Sequence, residues 1–185
     1  MAIDTFINID GVKGESTDDK HKDWIEVLSF NHGMVQPVSN TKSSSGGASS
    51  GRVQHGDFVF TKYMDASSPK IYEAISNGKH FSKVKLEGCR AGGSQTKFLE
   101  VTMEEVMVSK VLLNSGSTGS NGSNGVSSIG YKPEATNEAL DLLPTEEVHL
   151  NYGKIEWVYT QQKRKDGSGG GNVTAKHDLT TGKGS

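Results

Sequence analysis

The chain has 185 residues, 32% apolar and 23% charged, with 23 glycines; the length suits one domain, and apolar residues concentrated in 1–113 exclude wholesale disorder. Twenty Lys and Arg against 22 Asp and Glu leave a net charge of −2, which gives little of the clustered positive charge a nucleic-acid binder needs to release counterions. The single Cys89 excludes an internal disulfide framework, and apolar runs such as Val106-Met107-Val108 fall far short of the about 20 residues that span a membrane.

In chain order, Ile3, Phe6, Ile7 and Ile9 among polar residues predict a strand over 3–9. The opening MAIDTFINID carries Asp4 and no basic region, unlike a secretory signal peptide. A second strand is expected over 24–35, with Leu28 and Phe30 toward a core and Ser29 and Asn31 on the opposite face. Residues 39–51, SNTKSSSGGASSG, form a loop much longer than hairpins use. A strand over 56–64 carries Phe58 and Phe60 on one face and Val59 and Tyr63 on the other, so both faces are expected to be covered.

A helix is predicted over 67–77. Ser67 or Ser68 would cap it, Pro69 suits its first turn, Ile71, Tyr72 and Ile75 form one face, and Asn77-Gly78 gives a left-handed stop. Alternation then predicts strands over 83–87, 97–104, 106–113 and 147–161. Between them, Gly116, Gly119, Gly122 and Gly125 recur every third residue without proline, as a flexible linker rather than collagen, and 137–143 could form a short helix before Pro144. Residues 163–185 read as a Gly- and Lys-rich mobile tail, with Lys163-Arg164-Lys165 solvated. Together these runs predict a mainly β fold: one domain over 1–162, an antiparallel β-barrel or sandwich with one short flanking α-helix.

The motifs that look chemical have ordinary explanations. Gly47-Ala48-Ser49-Ser50-Gly51 matches a nucleophile elbow, but it lies in a Ser/Gly run rather than at a strand-to-helix turn. Ser67-Ser68-Pro69-Lys70 spells SxxK, yet the serine is the expected helix cap and no SDN or KTG partner follows. His21, His32, His55, His80, His149 and His177 never fall at metal-ligand spacings. Glu104-Glu105 and Glu146-Glu147 are neighbours whose side chains would leave a strand on opposite faces. Asn121-Gly122-Ser123 and Asn172-Val173-Thr174 are glycosylation sequons that matter only on a secretory route, and Cys89 reads as a small buried thiol. No catalytic, cofactor or metal residues are assigned. A binding module and an assembly subunit remain, with a small metal-dependent hydrolase using His32, His55 and His149 as a third reading.

Several blocks carry a family likeness: 1–16 (MAIDTFINIDGVKGES), 25–34 (IEVLSFNHGM), 60–69 (FTKYMDASSP), the GKH at 78–80, 89–93 (CRAGG) and 104–111 (EEVMVSKV). In this order they resemble the hemolysin-coregulated proteins, tube subunits of bacterial type VI secretion systems. The likeness covers 1–113 closely and 145–162 more loosely. It implies two packed sheets forming a β-barrel with one helix at its side, and homohexameric rings stacked inside a contractile sheath under a spike. It further implies no cofactor, no membrane insertion, effector proteins carried in the ring lumen, and expulsion from the cytoplasm without a signal peptide.

By the same resemblance, the lumen candidates are Ser29 and Asn31, the latter a serine in family members. Ring-contact candidates on the long loop are Ser39, Lys42, Ser45, Gly47 and Arg52. The stretch 114–146 is longer than the family's usual connection and is expected at the periphery, since doubling a flexible loop costs only about 0.6 kcal/mol. The alternative to a tube subunit is a monomeric soluble β-barrel binding module.

Overall fold

Apolar side chains that leave a strand on both sides must be covered on both sides, and the first strand sets this condition for the whole chain. The computed structural model describes residues 3–38, 51–90, 95–114, 143–162 and 169–184. Its elements are β1 (Ile3–Ile9), β2 (Ile25–Glu26), β3 (Ser29–Asn31), β4 (Met34–Val35), β5 (Gln54–His55), β6 (Phe58–Tyr63), α1 (Ser68–Asn77), β7 (His80–Arg90), β8 (Thr96–Asn114), β9 (Thr145–Asn151), β10 (Lys154–Gln162), β11 (Gly169–Asp178) and β12 (Lys183–Gly184).

All pairings are antiparallel. β1 pairs with β7, β7 with β8, β8 with β9, β9 with β6 and β6 with β3. The link back to β1 is made within one peptide step: Val27 N–H donates to the Thr5 carbonyl at 2.9 Å, and Leu28 N–H donates to the Thr61 carbonyl at 2.8 Å. The segment from β2 to β3 thus changes partner from β1 to β6, and the sheet curls round on itself. β10, β11 and β12 extend it from the first half of β8, while β4 and β5 form a separate hairpin.

Cross-strand rows fill the interior, as paired residues share a face. Ile9, Val84, Met103 and Ile155 make one row, and Ile7, Leu86, Val101 and Trp157 the next. Opposite them lie Phe58, Leu150 and Val108, then Phe60, Val148 and Val111. Most of these side chains are fully buried in a single core, which Ile71 and Ala74 of α1 join from the side. Phe6 points the other way from Ile7 and is covered instead by the 13–24 loop, where His21 stacks on it at 4.3 Å.

Where the regular alternation predicted two strands, 97–104 and 106–113, there is one, β8. Glu105 has a positive φ of 56°, and Met103 and Val106 are both buried while Glu104 and Glu105 are both exposed. The kink reverses the phase, so one strand serves β10 with its first half and β9 with its second. It also turns both Glu104 and Glu105 outward, not to opposite faces. Conversely, the expected strand over 24–35 is split into β2, β3 and β4 by the change of partner, and 147–161 into β9 and β10 by the turn at Tyr152-Gly153.

Leu28 and Phe30 are not core residues. They are 50% and 41% exposed, because the strand that carries them lies at an edge with nothing of this chain packed over it among the described residues. The tail expectation also needs correction: Gly169–Asp178 is a strand registered along β10 from Lys154↔Asp178 to Thr160↔Asn172, since backbone hydrogen bonds to an open edge do not require an apolar side chain. The linker over 114–130 and the short helix over 137–143 lie almost wholly outside the described residues.

Helix α1 follows its local signals in part. Pro69 sits in its first turn, and Gly78 ends it at φ 60°, a conformation that costs glycine nothing. Ser67 is the N-cap residue but makes no side-chain cap bond; its hydroxyl donates to Asp65 Oδ1 at 2.5 Å instead. The helix is held by charge. Lys62 and Glu146 face each other across β6 and β9 on the core side, both 0% exposed. Lys62 Nζ lies 2.8 Å from Glu146 Oε2 and 2.7 Å from Asp65 Oδ1, and donates to Ser68 Oγ and the Tyr63 carbonyl at 2.9 Å each. Ser68 Oγ donates to Glu146 Oε2 at 2.7 Å, and the Tyr72 hydroxyl donates to Glu146 Oε1. Burial, followed by Glu146, pushes the Tyr72 phenol up to about 12.

Two outcomes follow from these contacts. A Cβ on Gly14 would meet the Trp24 carbonyl oxygen at 2.3 Å and the Ile25 nitrogen at 2.7 Å, whereas nothing lies within 4 Å of one on Gly33. In urea unfolding, Gly14→Ala is expected to cost about 1–3 kcal/mol, as overpacking does, while Gly33→Ala stays within about 0.5 kcal/mol. Lys62→Met, which strands the Glu146 carboxylate, is expected to cost about 3–5 kcal/mol. Adding Glu146→Gln should recover part of that loss, and additive single effects would show that the two side chains are not coupled.

Candidate functional site

One thinly covered surface is built on β3. Its three residues are all exposed, and β6 is its one strand partner among the described residues. Phe30 pairs with Phe60 on the inner side and stacks on Phe58 with centroids 5.9 Å apart and planes at 10°, yet its outer edge is bare. Ser29 pairs with Thr61, and Asn31 with Val59. Continuing the register across β9 and β8, this face also carries Glu147 and Leu112 in the Ser29 row, and His149 and Lys110 in the Asn31 row. His149 Nε2 lies 2.8 Å from Glu147 Oε1. A broad, mostly polar sheet face thus accompanies an edge with exposed apolar side chains, an arrangement that suits protein contact rather than small-molecule chemistry.

Of the loop candidates, Arg52 is exposed and donates from Nη2 to the Leu179 carbonyl at 2.9 Å, tying the base of the β4–β5 hairpin to the turn after β11. Ser39, Lys42, Ser45 and Gly47 lie outside the described residues, as does the serine of the elbow-like motif.

The remaining motifs resolve by position. In the SxxK match, Lys70 is exposed and paired with Glu73 at 2.9 Å, whereas the motif serine, Ser67, is buried and donates to Asp65 Oδ1, and its neighbour Ser68 is buried in the Lys62–Glu146 network. A Ser–Lys contact therefore exists, but with Lys62, and it is enclosed against the core. His32, His55 and His149 do not converge. His32 and His55 share the Tyr152 hydroxyl, His149 pairs with Glu147 on the opposite face, and His177 stacks on His55 instead. Among the described residues, no group of three or more His, Cys, Asp and Glu is arranged to hold a metal ion. Glu146 and Glu147 do part to opposite faces, one buried and one outward, as alternation requires.

One polar cluster carries no sequence signature. His21 is buried between two carboxylates, with Nδ1 2.7 Å from Asp18 Oδ1 and Nε2 3.1 Å from Glu87 Oε2. Both nitrogens donate when both partners are ionised. Burial draws Glu87 upward, but the His21 hydrogen bond and Lys97 outweigh it and hold the carboxyl below its ordinary range. Asp18 is likewise held low: burial would raise it, but hydrogen bonds from His21 and Gln95 prevail. Nearby, burial pushes the Cys89 thiol up, with Glu87 and Asp18 adding to the effect, the opposite of what a nucleophilic cysteine requires.

These observations agree with comparison to known proteins. The family described as type VI secretion system effector, Hcp, matches residues 6–159. The chain is 38% identical over 174 residues to the protein hcp1 of Pseudomonas aeruginosa, covering 94% of this chain and 93% of that one. It is 23% identical over 175 residues to the major exported protein of the same organism, covering 86% and 90%. Among solved structures, a type six secretion system protein superposes with a TM-score of 0.81 at 30% identity over the full length of both chains. Hcp1 from Salmonella typhimurium gives 0.72 at 26%, also over both full lengths. With the mainly β fold, the one helix among the described residues and the match over residues 6–159, the chain belongs to the Hcp family of type VI secretion proteins.

Proposed function

We propose that this chain is a structural tube subunit of the type VI secretion system. It assembles head-to-tail into hexameric rings, stacks ring on ring within the sheath and below the spike, and is expelled from the cytoplasm when the sheath contracts. Its work is assembly and carriage, not catalysis. The observation that carries the reading is the β3 edge in a member of this family: Leu28 and Phe30 are exposed where the sheet has no further strand among the described residues. A ring requires one surface that meets a different surface of the next copy through a rotation that closes, and an edge strand with bare apolar side chains is suited to one half of that contact.

The polar face bearing Ser29 and Asn31, with Thr61, Glu147 and His149 beside them, is our candidate for the lumen wall that effector proteins touch. Polar walls release what they hold, as a delivery tube must. The extra length between β8 and β9 leaves from Asn114 and returns at Thr145, which are themselves paired. An insertion between adjacent strand ends adds only loop-closure entropy, and we place it outside the ring. Arg52 and the long loop it borders are our candidates for contact with neighbouring subunits.

Light scattering across a concentration series tests the assembly. Full-length protein is expected at about six times the 19.8 kDa subunit mass, or at multiples of that mass where rings stack. Leu28→Asp, which puts a charge on the exposed edge, is expected to drop the mass to one subunit while leaving the circular dichroism unchanged. Wild-type protein at 19.8 kDa throughout would overturn the ring and favour a monomeric binding module.

A further inference from the structure

The densest chemistry not used above lies where the β4–β5 hairpin meets the β10–β11 edge. His32 from the turn after β3, His55 of β5 and His177 of β11 bring three imidazoles together at Tyr152, in the turn between β9 and β10. The buried Tyr152 hydroxyl lies 2.6 Å from His32 Nε2 and 3.0 Å from His55 Nδ1. The His55 and His177 rings stack with centroids 5.0 Å apart and planes at 12°, and the His32 and His55 centroids are 6.2 Å apart. Trp157 lies 6.0 Å from His32 and 6.4 Å from His55, and Phe58 lies 5.7 Å from His32. Three parts of the chain are therefore joined through rings that can each take a charge.

Donor counting makes the cluster sensitive to protons. A phenol gives one hydrogen and accepts others. With both imidazoles neutral, Tyr152 donates to one ring nitrogen and accepts from the other, so all three groups are satisfied. With both protonated, both ring nitrogens are donors, the phenol hydrogen loses its acceptor, and two like charges stand 6.2 Å apart.

The surroundings do not compensate. Burial, then the neighbouring His55, holds His32 below the ordinary imidazole range; burial, then His177, does the same to His55. Asp57, just after β5, is held by Ser109 and Asn151, and with burial it pushes the Tyr152 phenol upward. Asp178, beside His177, accepts hydrogen bonds from Thr180 and Thr181. Lys154 of β10 pairs with Glu105 at 3.2 Å, Lys176 of β11 is exposed, and Arg52 is turned to the Leu179 carbonyl. Among the described residues, the acids that pair with a histidine do so at His21 and His149.

We propose that His32, His55 and His177 form an acid-released clasp, which draws the β4–β5 hairpin and the β11 edge together at Tyr152 when neutral and loosens both when protonated. Because the native His32 and His55 imidazoles resist protonation and unfolded ones titrate near 6.5, the clasp contributes fully above that value. Its contribution is lost as pH falls below it. His21, bonded to Asp18 and Glu87, stands outside the clasp. The loop over 13–24 should therefore hold under the same mild acid.

Hydrogen exchange on the full-length chain at about pH 7.5 and about pH 5.5, with labelling times scaled for intrinsic exchange, tests the clasp separately from ring mass. The expected result is about a tenfold fall in protection of the β4–β5 hairpin and β11 relative to β1 and β7, with 13–24 unchanged. In a His55→Phe/His177→Phe variant, whose rings still stack but cannot charge, the fall should vanish. Equal protection of the hairpin and β11 at the two pH values, or a fall that persists in the variant, would overturn the proposal. Should the variant not fold, the histidine C2–H resonances of the wild type decide. Loss of protection that tracks their titration supports the clasp, and loss that does not refutes it.

Discussion

The buried pair of Lys62 and Glu146 is the constraint from which much of this structure follows. An ammonium and a carboxylate removed from water are tolerable only when they meet each other and when their remaining donors and acceptors are filled. Here β6 and β9 supply the two charges directly opposite each other, and the missing partners come from Asp65, Ser68 and Tyr72. Those three residues belong to the turn before α1 and to its first turns. Satisfying the pair therefore fixes the register of β6 against β9 and the seat of α1 at once. The helix is only 10 residues long, too short to be stable on its own, so its position is set by this network and by the burial of Ile71 and Ala74.

A second constraint, the positive-φ kink at Glu105, shapes what the molecule can do. Because β8 changes phase there, its two halves serve different neighbours, and the sheet can both curl toward β6 and extend outward toward β11. The curl is completed at Val27–Leu28, which leaves β3 at an edge with Leu28 and Phe30 uncovered. A sheet that closed perfectly, with every edge paired, would present no such surface. The edges this fold retains, at β3 and along the thin β10–β11 extension, are the ones the proposed assembly would use.

Much of the fold was legible in the sequence. Period-two runs marked most strands, Pro69 and Gly78 bounded the helix, and the separate blocks of family likeness pointed to the type VI secretion proteins. These signals survive because they are local: the backbone fixes which way successive side chains point, and proline and glycine restrict or free φ wherever they stand. The candidate site was legible only in part. Ser29 and Asn31 do lie on the face opposite Phe30, yet nothing in the sequence revealed that Phe30 itself would be left half-bare.

The tertiary structure decided which of the exposed faces found cover. Lys62 alternates correctly with Phe58 and Phe60, but its burial depends on Glu146, 84 positions away in the chain. Glu105 looks like any strand residue until the demands of β9 and β10 bend it. His177 lay in what read as a tail, yet β10 offers an open edge that recruits β11 and brings the ring onto His55. The sequence by itself determined most of the strands, the helix α1 and the family. Where a charge is buried, where a strand bends and which histidines meet depend on contacts between distant segments, and those exist only once the chain has folded.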